Sequence, residues 1–96
     1  MVAIRAGDLD AAEAHLERAL LSCQKADSPT FTSLMCHVYA HAALRRKTPA
    51  GRQLALEMLT RSQEINVRCG FHGIAAAVRW TAARAGLGEQ IAIVAT

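Results

Sequence analysis

Histidine and cysteine side chains are the first candidates for chemistry in this 96-residue chain. His37 and His41 lie one turn apart on a predicted helix with Cys36 adjacent, and Cys69 and His72 form a Cys-x-x-His pair. Zinc sites use such spacings, but they need three or four ligands that converge at about 2 Å. Two short pairs on separate segments do not establish that convergence. A small metal-binding or thiol protein that uses these five residues is therefore kept as the alternative interpretation, and we predict no metal site and no cofactor.

The chain contains no motif that predicts catalysis. Residues 70–73, Gly-Phe-His-Gly, make a poor phosphate loop because they follow a predicted helix and lack the lysine that would contact a phosphate. Cys69 lies at the negative end of that helix, which disfavours the thiolate form that a nucleophile needs. No serine or cysteine nucleophile motif and no apolar carboxylate pair is present. We therefore predict that the protein is not an enzyme.

A second group of side chains suits the binding of a protein or peptide. His37, His41 and Arg45 follow each other at four-residue spacing, so on a helix they project from one side. Trp80 and Arg84 have the same spacing on a later helix, and tryptophan and arginine are frequent anchors at interfaces. An equal alternative is that Trp80 covers an edge of the core. We predict that any partner contacts these five residues.

The elements that position these groups are predicted to be helices. The composition is 52% apolar and only 4% aromatic, and about a fifth of the residues are alanine, the strongest helix former. The apolar residues recur with a helical period, which predicts an all-α fold. The predicted helices cover residues 9–25, 29–46, 49–69 and 73–85, with the end of an earlier helix at 1–6 and the start of a later one at 88.

Capping residues mark the predicted helix boundaries. Asp8 suits the N-cap of a helix that begins at Leu9, after a turn at Gly7. The Ser-Pro pair at 28–29 and the Thr-Pro pair at 48–49 each predict a helix start. Gly70 predicts a left-handed end for the helix at 49–69, with Phe71 folding back on it.

Each predicted helix carries a stripe that we expect to be buried. Ala12 is expected where two helices touch, so that Ala12→Leu would destabilise the fold by roughly 1–3 kcal/mol. The expected stripes, in chain order, are Leu9, Ala12, Leu16, Ala19, Leu20 and Cys23; Phe31, Leu34, Met35, Val38 and Ala42; Ala55, Met58, Leu59, Ser62, Ile65 and Cys69; and Ile74, Ala77, Val78, Thr81 and Ala85.

Residues 6–20 resemble a tetratricopeptide repeat. Residues 7–8, Gly-Asp, match the inter-helix turn of that family, and Ala12, Leu16 and Ala19 match its small, large, small packing positions. Residues 84–89 echo residues 5–10 after about 79 positions, or near 40 per repeat, which is longer than the usual period of about 34. The resemblance implies antiparallel helical hairpins stacked as a short solenoid, whose concave surface binds a partner.

The alanine- and arginine-rich style is similar to the repeat regions of LuxR-type bacterial transcription regulators. That similarity implies a regulatory, protein- or peptide-binding role without enzymatic activity. We expect residues 1–96 to form a single domain, with both ends cut from a longer solenoid. Because Ile91, Ile93 and Val94 then have no following helix to cover them, self-association is also expected.

Charge and hydropathy restrict the other possible partners. The net charge is only +3 and the acidic residues are interspersed, which argues against a nucleic-acid ridge of Arg45, Arg46, Lys47 and Arg52. No apolar run approaches the roughly 18–20 residues that a membrane helix needs. Three cysteines without a disulfide framework and the absence of a signal-peptide pattern predict a cytoplasmic protein.

Overall fold

The computed structural model describes the backbone of residues 6–92 and the side chains of residues 9–91. This part of the chain contains helices and turns and no strand, so the predicted all-α class is confirmed for it. The predicted helix end before Ala6 and the apolar residues Ile93 and Val94 lie outside the described residues. The helices are α1 (Ala6–Lys25), α2 (Pro29–Leu44), α3 (Pro49–Cys69), α4 (His72–Arg84) and α5 (Gly88–Ala92).

The two predicted Ser/Thr-Pro helix starts are confirmed. The Ser28 hydroxyl accepts a hydrogen bond from the Phe31 N–H at 3.4 Å, and proline follows at the first position of α2. The Thr48 hydroxyl accepts from the Gly51 N–H at 3.0 Å at the start of α3. Each cap satisfies an N–H that has no partner within its helix, which fixes where the helix begins.

The predicted start of the first helix is wrong. α1 already includes Gly7 and Asp8, so Asp8 is not the N-cap of a helix that begins at Leu9. A glycine inside a helix costs only about 1 kcal/mol relative to alanine, and the alanines around it favour the helix. The Gly-Asp pair that resembled an inter-helix turn therefore lies within α1.

A residue with a left-handed backbone closes each of the four connections between helices. These residues are Asp27, Lys47, Gly70 and Gly86, with φ between 52° and 74°. The Gly70 N–H donates to the Asn66 carbonyl, which confirms the predicted left-handed end of α3. Such short connections make each helix fold back against the one before it.

α2 and α3 form the centre of the packing. α1 packs on α2 and on no other described helix, whereas α3 also contacts α4 and α5, and α2 contacts α4. Alanines at 40, 43 and 55 are fully buried, which lets the backbones approach closely. The buried core consists of Leu20, Cys36, Tyr39, Ala40, Ala43, Ala55, Met58, Leu59, Val78, Ala82, Leu87 and Ile91.

The buried face of α2 is rotated from the predicted one. Phe31 is 60% exposed and Val38 is 44% exposed, although both were expected in the core. The prediction followed the apolar side chains, whereas the helix buries small and hydroxyl-bearing residues that fit close against α3. The residues buried on α2 are Thr32, Ser33, Cys36, Tyr39, Ala40 and Ala43.

Three further positions of the predicted stripes are exposed. Ala12 is exposed because α1 is covered by α2 alone, so only a narrow face, including Leu9 and Leu20, is buried. Cys69 is exposed because it lies in the last turn of α3, where residues 67–70 all face solvent. Ala77 is exposed because α4 turns residues 75, 78, 81 and 82 inwards instead.

Ile91 is buried, contrary to the expectation that it needs another copy of the chain to cover it. Its side chain is 1% exposed, and Leu87 is also buried. The Leu87 N–H donates to the Ala82 carbonyl at 2.8 Å, which turns α5 back towards α3 and α4. The expected self-association therefore loses the contribution of Ile91.

A chain of buried hydrogen bonds links α2, α3 and α4. The Ser33 hydroxyl donates to Asn66 Oδ1 at 2.5 Å, and Asn66 Nδ2 donates to Gln63 Oε1 at 3.1 Å. Gln63 Nε2 donates to the Ala75 carbonyl of α4 at 3.5 Å, and the Ser62 hydroxyl donates to the Ser33 carbonyl at 3.0 Å. Among the described residues, every buried polar side-chain atom has a partner.

No helix in residues 6–92 is long and apolar enough to span a bilayer.

Candidate binding surface on α2 and α4

Two of the predicted binding residues meet at a threonine of α4. His37 Nε2 lies 2.8 Å from Thr81 Oγ1, and His41 Nε2 lies 3.4 Å from the same oxygen. The two imidazole rings are tilted by 43° with their centroids 4.8 Å apart. Because Thr81 has one proton to donate and lone pairs that accept, it can bond both rings and hold them in place. Thr81 was predicted only as a buried residue, and its role as a bridge was not foreseen.

Trp80 and Arg84 form a cation–π pair on the neighbouring part of α4. The guanidinium carbon of Arg84 lies 4.7 Å from the centre of the Trp80 ring. Trp80 is 61% exposed, so it does not serve mainly to cover the core edge. The pair presents an oriented guanidinium on an aromatic surface, which is a suitable arrangement for contacting a partner.

The α2/α4 cleft, as we call the shallow cavity between these helices, has a volume of about 280 Å³. Three of the predicted binding residues line this cleft, namely His41, Trp80 and Arg84. His37 does not line it but contacts Thr81, which does. Its lining consists of His41, Leu44, Trp80, Thr81, Arg84 and Ala85.

Arg45, the fifth predicted binding residue, faces a different depression. This α1/α2 groove has a volume of about 320 Å³, and His41 also lines it. Sequence reasoning missed the groove because its apolar members were assigned to the core. The lining residues are Leu9, Ala12, Leu16, Val38, His41, Ala42 and Arg45.

The described residues that line the α2/α4 cleft and the α1/α2 groove include cationic and titratable groups and no carboxylate. Within residues 9–91, neither Arg84 nor Arg45 has a carboxylate at ion-pair distance. Burial, and secondarily the neighbouring His41, lowers the pKa of His37. The His37 imidazole is therefore mostly neutral at neutral pH, while Arg84 and Arg45 supply positive charge to the cleft and the groove.

Acidification is expected to weaken the fold through His37. Since its pKa is lower in the folded protein than the ordinary 6.5, the unfolded chain takes up this proton first as pH falls. The stabilisation is fully present above about pH 6.5 and is lost as pH falls through the folded-state pKa. Urea denaturation between about pH 7 and pH 5 should show a smaller pH dependence for His37→Gln than for the wild type. A slope for His37→Gln that equals the wild-type slope would contradict the assignment.

Two of the four residues that a nucleic-acid ridge would need, Arg46 and Arg52, form bonds within the protein. Arg46 pairs with Glu13, its Nε lying 2.7 Å from Oε1, and also with Asp10. The hydrogen bonds that the Arg46 guanidinium donates, to Glu13 first and then to Asp10, raise the pKa of Arg46 further. Arg52 donates to the carbonyls of Ala85 at 2.5 Å and Gly86 at 3.1 Å. Arg46 joins the turn after α2 to α1, and Arg52 joins α3 to the end of α4.

The five residues of the metal-binding alternative do not come together. Cys36 is buried in the core, where burial is the main factor that raises its pKa. Cys69 and His72 are exposed at the junction of α3 and α4, and His37 and His41 contact Thr81. In residues 9–91 no group of three or more His, Cys, Asp or Glu side chains is placed to hold a metal ion. The metal-binding interpretation therefore lacks a site in the described structure.

Comparisons with models of known protein families, with curated proteins and with solved structures find no match.

Proposed function

We propose that the protein is a non-enzymatic helical scaffold that binds an acidic segment of a partner protein in the α2/α4 cleft. In this proposal the helices are hairpins of a short tetratricopeptide-like solenoid, with α2 and α4 as the first helices of successive hairpins. The observation that carries the proposal is the Arg84 guanidinium held on the exposed Trp80 ring, in a cleft whose described lining residues include no carboxylate.

The chemistry of the cleft favours a carboxylate as the ligand group. A guanidinium can donate two parallel hydrogen bonds to a carboxylate, and such charged pairs are stronger than neutral ones. Stacking on Trp80 already restricts Arg84, which reduces the entropy lost when a ligand binds. His41 adds a donor at the edge of the same cleft.

The size of the cleft favours one or two side chains of a peptide. Its volume of about 280 Å³ is slightly smaller than the roughly 300–1,000 Å³ typical of small-molecule pockets. The similarity to LuxR-type repeat regions adds a regulatory setting to the proposal, in which this chain is the partner-binding regulatory segment of a bacterial transcription regulator.

Titration with short peptides tests this proposal, and Trp80 is a built-in probe because it is the only tryptophan. A pool of peptides made of Glu and Ser in random order should change the Trp80 emission saturably. A matched pool of Lys and Ser should not. Increasing salt should weaken the Glu/Ser binding, since Arg84 is exposed to solvent.

Calorimetric titration of Arg84→Ala with the Glu/Ser pool should give an affinity at least roughly tenfold lower, as expected for a central arginine anchor. Arg79→Ala is the matched control, because Arg79 is also exposed on α4 but does not line the cleft. An affinity that is equally reduced in both variants, or unchanged in Arg84→Ala, would refute the proposed site. Absence of any binding by the Glu/Ser pool would have the same meaning.

A further inference from the structure

We infer that the α1/α2 groove is a second subsite that takes an apolar side chain of the same acidic ligand. The inference rests on the proposed function and extends it from a charge preference to a sequence preference. The ligand would carry an apolar residue close in sequence to the acidic residue that Arg84 binds.

The groove presents an apolar surface that no other described helix covers. α1 packs on α2 alone, so the groove between them stays open. Val38 is 44% exposed there, and Leu16 is partly exposed beside it. The groove volume of about 320 Å³ accommodates an aliphatic side chain together with part of its backbone.

The groove is continuous with the α2/α4 cleft through one residue. His41 lines both depressions, because it projects from α2 between α1 and α4. A single extended segment that crosses His41 can therefore place one side chain in each depression. Consecutive side chains of an extended chain point in opposite directions. The apolar residue and the acidic residue of the ligand therefore need not be neighbours in its sequence.

Charge complementarity indicates that the apolar side chain belongs to an acidic segment. Among residues 9–91, the polar side chains that line the groove are Arg45 and His41, and none of the lining side chains is a carboxylate. The nearby carboxylates of α1, Asp10 and Glu13, are already paired with Arg46. A cationic amphipathic segment would meet only repulsion from Arg45, whereas an acidic one gains attraction.

Ala12 keeps the groove open. It was expected between two touching helices, but it is exposed and lines the groove. A larger side chain at this position would project into the space that the ligand needs, without entering the core. Ala12→Leu should therefore leave folding intact and fill the subsite.

The test compares the Glu/Ser pool with a pool of Glu and Leu of the same length and charge. The wild type should bind the Glu/Leu pool roughly tenfold more tightly, as expected for burying about one Leu side chain. Ala12→Leu should abolish this advantage and keep the affinity for the Glu/Ser pool. Ala14→Leu is the matched control, since Ala14 is exposed on α1 and does not line the groove.

Val38→Ser provides a second variant, which removes apolar surface from the groove. Val67→Ser is its control, because Val67 is similarly exposed but lies on α3 away from the groove. Val38→Ser should reduce the Glu/Leu advantage, and Val67→Ser should not. Equal affinities for the two pools, with Glu/Ser binding still dependent on Arg84, would overturn the subsite and leave the proposed function standing.

Two other results would overturn the inference. If Ala12→Leu converted a dimeric wild type into a monomer in sedimentation experiments, the groove would belong to a second copy of the chain. The second result is an affinity for the Glu/Leu pool that Ala12→Leu lowers and Arg84→Ala leaves unchanged. The apolar side chain of the ligand would then bind the groove without any contribution from its acidic side chain. The proposed function would then fail together with the inference.

Discussion

Replacing Asn66 with alanine is expected to lower the free energy of unfolding by roughly 2–5 kcal/mol. The Asn66 side chain is 2% exposed and connects Ser33 of α2 with Gln63 of α3. Its removal takes the closest acceptor from the Ser33 hydroxyl, which keeps only its contacts with Ser62, and leaves the Gln63 carbonyl without its donor. Each buried polar group that loses its partner costs about 1–3 kcal/mol, and the space left by the amide adds to that cost.

Urea denaturation followed by circular dichroism measures this effect as a lower midpoint. Gln53→Ala is a suitable control, because Gln53 is an exposed amide on the same helix and should change stability by less than about 0.5 kcal/mol. Ser33→Ala combined with Asn66→Ala should cost less than the sum of the single changes, since both remove the same hydrogen bond. A strictly additive pair would mean that the two side chains do not interact in solution.

The helix boundaries could be predicted because they depend on local physics. Ser28 and Thr48 cap the helices that follow them, and Gly70 ends α3 with a left-handed backbone, as their residue types indicate. Gly7 was misleading because a glycine tolerates a turn but does not require one. Local propensity therefore predicted the later helices better than it predicted the start of α1.

The buried face of α2 could not be predicted from apolar periodicity. Ser33 is fully buried, while Phe31 is exposed, because hydrogen bonds to α3 satisfy the hydroxyl of Ser33. Whether a polar side chain finds such partners depends on a helix more than twenty residues away in the chain. Asn66 and Gln63 were absent from the predicted core for the same reason.

The candidate site was predicted in part. Helical spacing correctly grouped His37 with His41 and Trp80 with Arg84, but it could not show that Thr81 joins the two helices. The same spacing placed Arg45 with the histidines, whereas the structure directs it into the α1/α2 groove. Periodicity gives the residues that share a side of one helix, and it does not give what that side faces.

Gly51→Ala is expected to destabilise the protein by about 1–3 kcal/mol, although helix propensity alone favours alanine by about 1 kcal/mol. Gly51 is buried in the first turn of α3, where α2 passes close by. A Cβ atom there would lie 2.5 Å from the Ala43 carbonyl oxygen and 3.1 Å from Thr48 Oγ1. The nearer contact is backbone, so no side-chain rotation relieves it, and the start of α3 must move away from α2.

Gly73→Ala is the matched control for this close approach. Gly73 also lies in the first turn of a helix, and nothing lies within 4 Å of the position that a Cβ atom would occupy. Its φ is not in the left-handed region, so alanine should stabilise the protein by roughly 0.4–1 kcal/mol through a less flexible unfolded chain. The midpoints of thermal and of urea unfolding should thus both fall for Gly51→Ala and both rise for Gly73→Ala. If both variants were more stable than the wild type, α2 and α3 would be farther apart at Gly51 than the structure places them. Only a steric contact between the added Cβ atom and the Ala43 carbonyl oxygen makes Gly51→Ala destabilising.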